Sequence, residues 1–275
     1  MTRLFDSHAH LQDRAFNDSV DAVVERAREA GVAGMVVLGY DIASNHAALA
    51  IAARHPGIVF PAVGIHPHDA ASVTPAGIDE VAALARQEAV VAIGEIGLDF
   101  YRNLSPASRQ REVLETHLTL ALETGKPVSV HSRSAEAEIA EPLGRFAAEW
   151  SARFPGRSPG VMHCFGGSPQ QALAFAALGF HISVACSVTY PKSEQARAVA
   201  AVVPLEHLLI ETDSPYLPPQ PLRGKRNEPA HVGTAAAAIA AVRGLDTGTV
   251  AEATTVNAER LFGVRVELPA LAGRR

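Results

Sequence analysis

The chain has 275 residues, 48% of them hydrophobic and 19% charged, which is enough apolar material for a sizeable core and excludes a disordered or fibrous protein. Lysine and arginine number 24 against 29 aspartates and glutamates, a net charge of −5. That balance excludes a protein that coats nucleic acid by counterion release alone, though a polyanion can still be held by a few local charges or metal ions.

Two cysteines, Cys164 and Cys186, with no CxxC pair, exclude a secreted disulfide framework. Both lie in apolar runs and are expected to be buried free thiols. The first residues carry no signal-peptide core, and no stretch approaches the about 18 apolar residues of a membrane span. A soluble cytoplasmic protein without membrane contact is expected.

Apolar strand-like runs occur at 4–8, 35–39, 59–64, 90–95, 128–131, 161–164, 181–185 and 208–211. Helix-period segments at 18–30, 47–54, 75–87, 106–124, 135–153, 169–178 and 194–202 alternate with them. The first helix opens at the cap candidate Asp18 and stops at Gly31; the fourth opens after Ser105, with Pro106 in its first turn, and stops at Gly125. Strands that are apolar throughout belong in a parallel sheet covered on both faces. Eight such units predict a single α/β domain, a (β/α)8 TIM barrel over 1–265, followed by a poorly ordered tail at 266–275. An open doubly wound sheet would want a glycine-rich turn after the first strand, and Asp6-Ser7-His8-Ala9-His10 has no glycine. A proline-rich loop at 214–229 and two alanine-rich helical stretches at 230–243 and 249–262 complete the domain.

Polar residues stand at one end of these strands. His8 and His10 close the first, two apart and so on one face; Glu95 ends the fourth, His131 the fifth and His163 the sixth, and Asp213 follows the eighth. In a barrel all six meet at the carboxyl-end mouth, where active sites lie. Four imidazoles and two carboxylates are hard to satisfy by hydrogen bonds alone, whereas nitrogen and oxygen donors without thiolate suit Zn, Mn or Mg. Six ligands exceed the three a single catalytic zinc takes, so two divalent ions sharing a carboxylate are expected.

Further residues reach the same mouth. His66 and His68 follow strand three and are candidates for supporting or substrate contacts; Asp99 either orients a ligand histidine or caps the next turn. Arg133 is placed to meet a phosphate or to form a surface ion pair. The basic loop 222–229, with Lys225 and Arg226, sits beside Asp213 and suits anion capture. His46, His55, His117, His181, His207 and His231 read as structural or solvated. No GxSxG, GxxxxGK, HExxH or GxGxxG is present, so serine acyl transfer, nucleotide-triphosphate work and dinucleotide chemistry lack their marks.

The series Phe5-Asp6-Ser7-His8-Ala9-His10-Leu11, Val63-Gly64-Ile65-His66-Pro67-His68, Gly94-Glu95-Ile96-Gly97-Leu98-Asp99, Val130-His131-Ser132-Arg133, Met162-His163-Cys164-Phe165 and Glu211-Thr212-Asp213-Ser214-Pro215 resembles the TatD family of metal-dependent hydrolases and deoxyribonucleases. The resemblance runs nearly the whole chain and includes the loop Arg223-Gly224-Lys225-Arg226-Asn227-Glu228-Pro229. It implies a (β/α)8 barrel with one metal held by His8, His10, Glu95 and Asp213 and a second by Glu95, His131 and His163. It also implies 3′-to-5′ exonuclease or DNA hydrolase activity. From the site itself, two ions bridged by Glu95 would activate a water, and Asp213 is the expected general base. The expected substrate is DNA, single-stranded or at 3′ ends, or a smaller phosphodiester, and a monomer is expected. The rival expectation is an amide, lactone or ester hydrolase of the same superfamily. Many such relatives bridge their metals with a carboxylated lysine on strand four, where this chain has Glu95; Lys126 begins strand five, at the wrong end. A metal-binding scaffold without catalysis finds no support, since all six ligand types are present.

Overall fold

The computed structural model describes residues 2–267. Eight strands, β1 (Leu4–Ala9), β2 (Val32–Leu38), β3 (Val59–Val63), β4 (Ala92–Asp99), β5 (Val128–Arg133), β6 (Gly160–Met162), β7 (His181–Ala185) and β8 (Leu208–Glu211), form one sheet in sequence order. Every neighbouring pair is parallel. Each gap is crossed by a helix: α1 (Val20–Glu29), α2 (Ile42–Arg54), α3 (Pro75–Ala85), α4 (Ala107–Thr124), α5 (Glu136–Arg153), α6 (Pro169–Ala177) and α7 (Glu194–Val202). The last strand meets the first through a parallel bridge between Ala9 and Ser214. Asp213 N donates to His8 O at 2.9 Å and His10 N to Ser214 O at 2.8 Å, so the sheet curls into the expected (β/α)8 barrel.

Two apolar layers explain why the strands are hydrophobic on both faces. One, including Met35, Val37, Val63 and Ile96, packs under the helical ring. The other fills the barrel interior with Phe5, Val36, Ala62 and Leu209, and it also contains Ala258, Leu261 and Phe262 of α9 (Thr247–Phe262). After α8 (Gly233–Arg243), α9 therefore plugs the amino-terminal end of the barrel, stacking Phe262 on Phe5 with ring centroids 6.0 Å apart. That leaves the carboxyl end as the open mouth.

Element boundaries follow local chemistry. α2 starts earlier than its alanine run suggests, because the Asp41 carboxylate accepts from Ser44 N at 2.7 Å while Ser44 Oγ accepts from Asp41 N, a capping box. α1 starts two residues later than expected: Asp18 takes φ +58 and Ser19 occupies the cap. Gly125 ends α4 in the left-handed conformation, φ +63, where a side chain would be strained. β4 runs four residues past Glu95, to Asp99. Val266 is buried with Phe5 in the interior layer; the remainder of the expected tail, from 268, lies outside the described residues. None of the described helices is long and apolar enough to cross a membrane.

Candidate metal centre

The mouth collects all six residues singled out at the strand ends. Strand irregularities aim several of them. The β1–β2 register shifts between Asp6 and Ala9, around His8, and the β4–β5 register shifts between Ile93 and Ile96, around Glu95; such bulges turn side chains beside active sites. Asp213 lies just past β8 at φ +55, pinned by its bond to His8 O. Gly97, at φ +144, lets β4 approach β5 so closely that a Cβ there would sit 1.9 Å from His131 O.

Glu95 is the hub. Its Oε2 lies 3.4 Å from both His8 Nε2 and His10 Nε2. Its Oε1 lies 3.0 Å from His163 Nε2, 3.1 Å from His131 Nδ1 and 3.4 Å from His66 Nε2. One carboxylate thus turns each oxygen to a different set of imidazoles. Asp213 Oδ1 joins the first set, 3.7 Å from His10 Nε2 and 4.0 Å from His8 Nε2.

Outer partners fix the ring orientations. His10 Nδ1 donates to Leu38 O at 3.0 Å, and His163 Nδ1 lies 3.2 Å from Glu211 Oε1. Asp99 Oδ2 receives His131 Nε2 at 3.2 Å and His68 Nε2 at 2.9 Å, while its Oδ1 accepts from Tyr101 N and Arg102 N. Asp99 therefore both orients His131 and caps a turn.

The charges are strongly coupled. Burial opposes ionisation of Glu95, but His66, His163 and His8 outweigh it and hold the carboxyl well below its usual range. Burial likewise opposes charge on His10, His131 and His163. Glu95, joined by Asp99 at His131 and by Glu211 at His163, overcomes it and raises all three. His8 and His66 go the other way, with burial pushing them down to about 3 and about 4. Burial raises Asp213 to about 6.

The donor set fits divalent cations. Three triads, His8–Glu95–His163, His8–His10–Asp213 and His66–Glu95–His131, each offer one ligand atom apiece within 4.8 Å of one another. His8 Nε2 and His10 Nε2 face each other at 3.1 Å, a contact of two like atoms that a cation between them satisfies. Donors are nitrogen and oxygen, the set that suits Zn, Mn or Mg.

Other candidates divide. His66 joins the cluster directly and His68 stands behind it on Asp99. Arg133 stacks its guanidinium 4.0 Å over the Tyr101 ring at the rim. Lys225 is exposed in the loop after β8 and has no side-chain partner among the described residues. Arg226 is turned away: its guanidinium donates to Ala15 O at 2.6 Å and to Glu228 Oε1 at 2.7 Å, and lies over Phe16. It fastens the loop, because those partners lie nearer than the centre. Cys186 is buried as expected, but Cys164 is only partly so, since β6 ends at Met162 and leaves it in the mouth at φ +42.

Two buried acids escaped the sequence reading. Glu211 orients His163, and Asp6 accepts from Thr212 N and Thr212 Oγ1, tying β1 to β8. The signal was available: Asp6/His8 and Glu211/Asp213 repeat the two-residue spacing of His8/His10, which puts each pair on one strand face.

A family profile described as TatD related DNase matches residues 5–263. A protein named 3′-5′ ssDNA/RNA exonuclease TatD, from Salmonella typhimurium, is 38% identical over 95% of this chain and 99% of its own length. An uncharacterized metal-dependent hydrolase, YabD of Bacillus subtilis, is 36% identical over 95% and 99%. Among solved structures, the TatD homologue YJJV of Escherichia coli superposes with a TM-score of 0.88 at 31% identity, covering 96% of this chain and 99% of that one.

Proposed function

This chain belongs to the TatD-related DNase family of metal-dependent hydrolases, and we propose that it removes nucleotides from the 3′ end of single-stranded DNA. It acts on phosphodiester bonds, as a cytoplasmic monomer. The observation that carries this reading is Glu95, whose two oxygens face two separate sets of imidazoles. His8, His10, Glu95 and Asp213 would hold one divalent ion; Glu95, His131 and His163, with His66 alongside, would hold a second.

When bound, the ions supply an activated water and neutralise charge on the phosphoryl group and leaving oxygen. Asp213, whose side chain keeps 15% exposure against 5% for Glu95, is the cluster carboxylate most open to the mouth and takes the proton of the attacking water. Asp99 and Glu211 keep His131 and His163 turned toward Glu95 throughout. Arg133 and Lys225 contact non-bridging phosphate oxygens from the rim, while Arg226 holds the Lys225 loop in place. The water oxygen bonds to phosphorus, the P–O3′ bond breaks, Asp213 passes the proton on to O3′, and a nucleoside 5′-monophosphate leaves a shortened strand ending in a 3′ hydroxyl.

Digestion of 5′-labelled single-stranded DNA with added Mg or Mn tests the reading. The expected product is a ladder shortening from the 3′ end, lost with chelator and in His131→Ala. No cleavage by metal-loaded wild type would assign the chain instead to amide, lactone or ester hydrolysis.

A further inference from the structure

The mouth has two unlike sides. Arg133, the last residue of β5, and Arg102, Lys192, Arg223 and Lys225, in the loops after β4, β7 and β8, are all exposed. Among the described residues none of the five enters an ion pair, whereas Arg226 beside them is paired with Glu228. The loops after β1, β2 and β3 carry Asp13, Asp41 and Asp69, with Arg14 as the one lysine or arginine among them. Asp41 and Asp69 line one groove, and Asp13 Oδ2 accepts from the Tyr216 hydroxyl at 2.9 Å.

Aromatic residues follow the same frame. The chain has four tyrosines, and all four stand at this end, Tyr40 after β2, Tyr101 after β4, Tyr190 after β7 and Tyr216 after β8. On the basic side each carries a guanidinium, Arg133 at 4.0 Å over Tyr101 and Arg223 at 4.8 Å over Tyr190. Tyr216 follows β8 but reaches across to the acidic side through its bond to Asp13, and with Tyr40 it frames His10, the ring centroids 6.3 and 5.7 Å away. Tyr101 is 65% exposed, Leu104 62% and Tyr216 53%, more than any other large apolar side chain among the described residues. Apolar surface concentrated beside a polar centre marks a place that something covers.

We infer that the mouth is a polarised track for one nucleic-acid strand, which crosses the basic rim with a base stacked on Tyr101–Arg133 and ends at the acidic rim between Tyr40 and Tyr216. A single strand offers both things this rim can use, unpaired base faces for the rings and phosphates for the cations. A duplex keeps its bases inside and leaves Tyr101 bare. A strand continuing beyond the centre would carry its next phosphates into Asp13, Asp41 and Asp69, so charge repulsion selects a terminus there. The terminal nucleoside, bearing a hydroxyl and no further phosphate, is what that side accepts. This deepens the nuclease reading above, on which it rests for the chemistry at the metal centre but not for binding.

The test is binding of a labelled single-stranded 12-mer, its last linkage a phosphorothioate to resist hydrolysis, with Mg present. Tyr101→Ala should weaken binding on the order of tenfold, and Tyr101→Phe should restore it. That loss should vanish when the upstream bases are replaced by abasic sites. Lys192→Ala should reduce the slope of log affinity against log salt by about 0.7. A 3′ phosphate should weaken binding to wild type severalfold, and Asp69→Asn should relieve that penalty. Equal losses in Tyr101→Ala for normal and abasic strands, an unchanged salt slope, or indifference to the 3′ phosphate would overturn the track. A wild type that shows this binding pattern yet releases no nucleotide from an unmodified strand supports the track and sinks the nuclease reading instead.

Discussion

Histidines are enclosed at both ends of this barrel, and they meet different partners there. Toward the amino-terminal end, His181 Nδ1 meets Ser158 Oγ at 3.1 Å and His207 Nδ1 meets Phe180 O at 3.1 Å; on the outer ring, His117 Nδ1 donates to Val113 O at 2.7 Å. The hydrogen-bond partners here are neutral, and burial lowers both His117 and His181 to about 4. At the mouth, burial still lowers His8 and His66, but His10, His131 and His163 are raised against it, because Glu95, Asp99 and Glu211 face them. Burial alone therefore does not mark a functional histidine. A carboxylate shared among several rings does.

If that distinction is right, Glu95→Gln should have the largest effect. It should lower turnover on the order of 10³-fold and reduce bound metal per chain by elemental analysis, with far-UV circular dichroism unchanged. Full metal content and near-normal turnover in the Glu95→Gln enzyme would break the comparison. Gly97→Ala should come next, since its Cβ collides with His131 O and shifts a ligand; a loss of about 10²-fold in kcat is expected. Glu211→Gln tests whether an outer carboxylate matters, and should weaken metal affinity 10- to 100-fold by competition with a chelator, about the range for such partners.

The smallest effect is expected at a histidine remote from the mouth. His117 is held neutral in the fold with a value near 4, while the unfolded chain takes up its proton below about pH 6.5. The stability linked to it is fully present above about pH 6.5 and is lost as pH falls toward 4. His117→Leu should therefore lessen the drop in unfolding free energy between pH 7 and pH 5 by about 2 kcal/mol, measured by urea titration at both values. An equal drop in the two proteins would remove His117 from the acid response.

Much of this was legible in the chain. Period-two spacing at His8/His10 and polar residues ending apolar runs identified the mouth, since a parallel strand buried on both faces leaves its polar group only at an end. Boundaries were less legible where side chains compete for backbone groups, as at Asp18 and at the Asp41–Ser44 box. Glu211 was passed over because a carboxylate inside an apolar strand reads as part of the run until the partner from β6 is seen.

Residue type and local period were enough for the eight-unit alternation, for the barrel end where the polar residues gather and for the nitrogen and oxygen character of those groups. Only the tertiary structure decided that Glu95 divides its two oxygens between imidazole sets, that Arg226 is spent on Glu228 and Ala15, and that the rim is basic on one side and acidic on the other. Those facts depend on which strands become neighbours when the sheet closes, and closure joins residues as distant in the chain as His8 and Asp213.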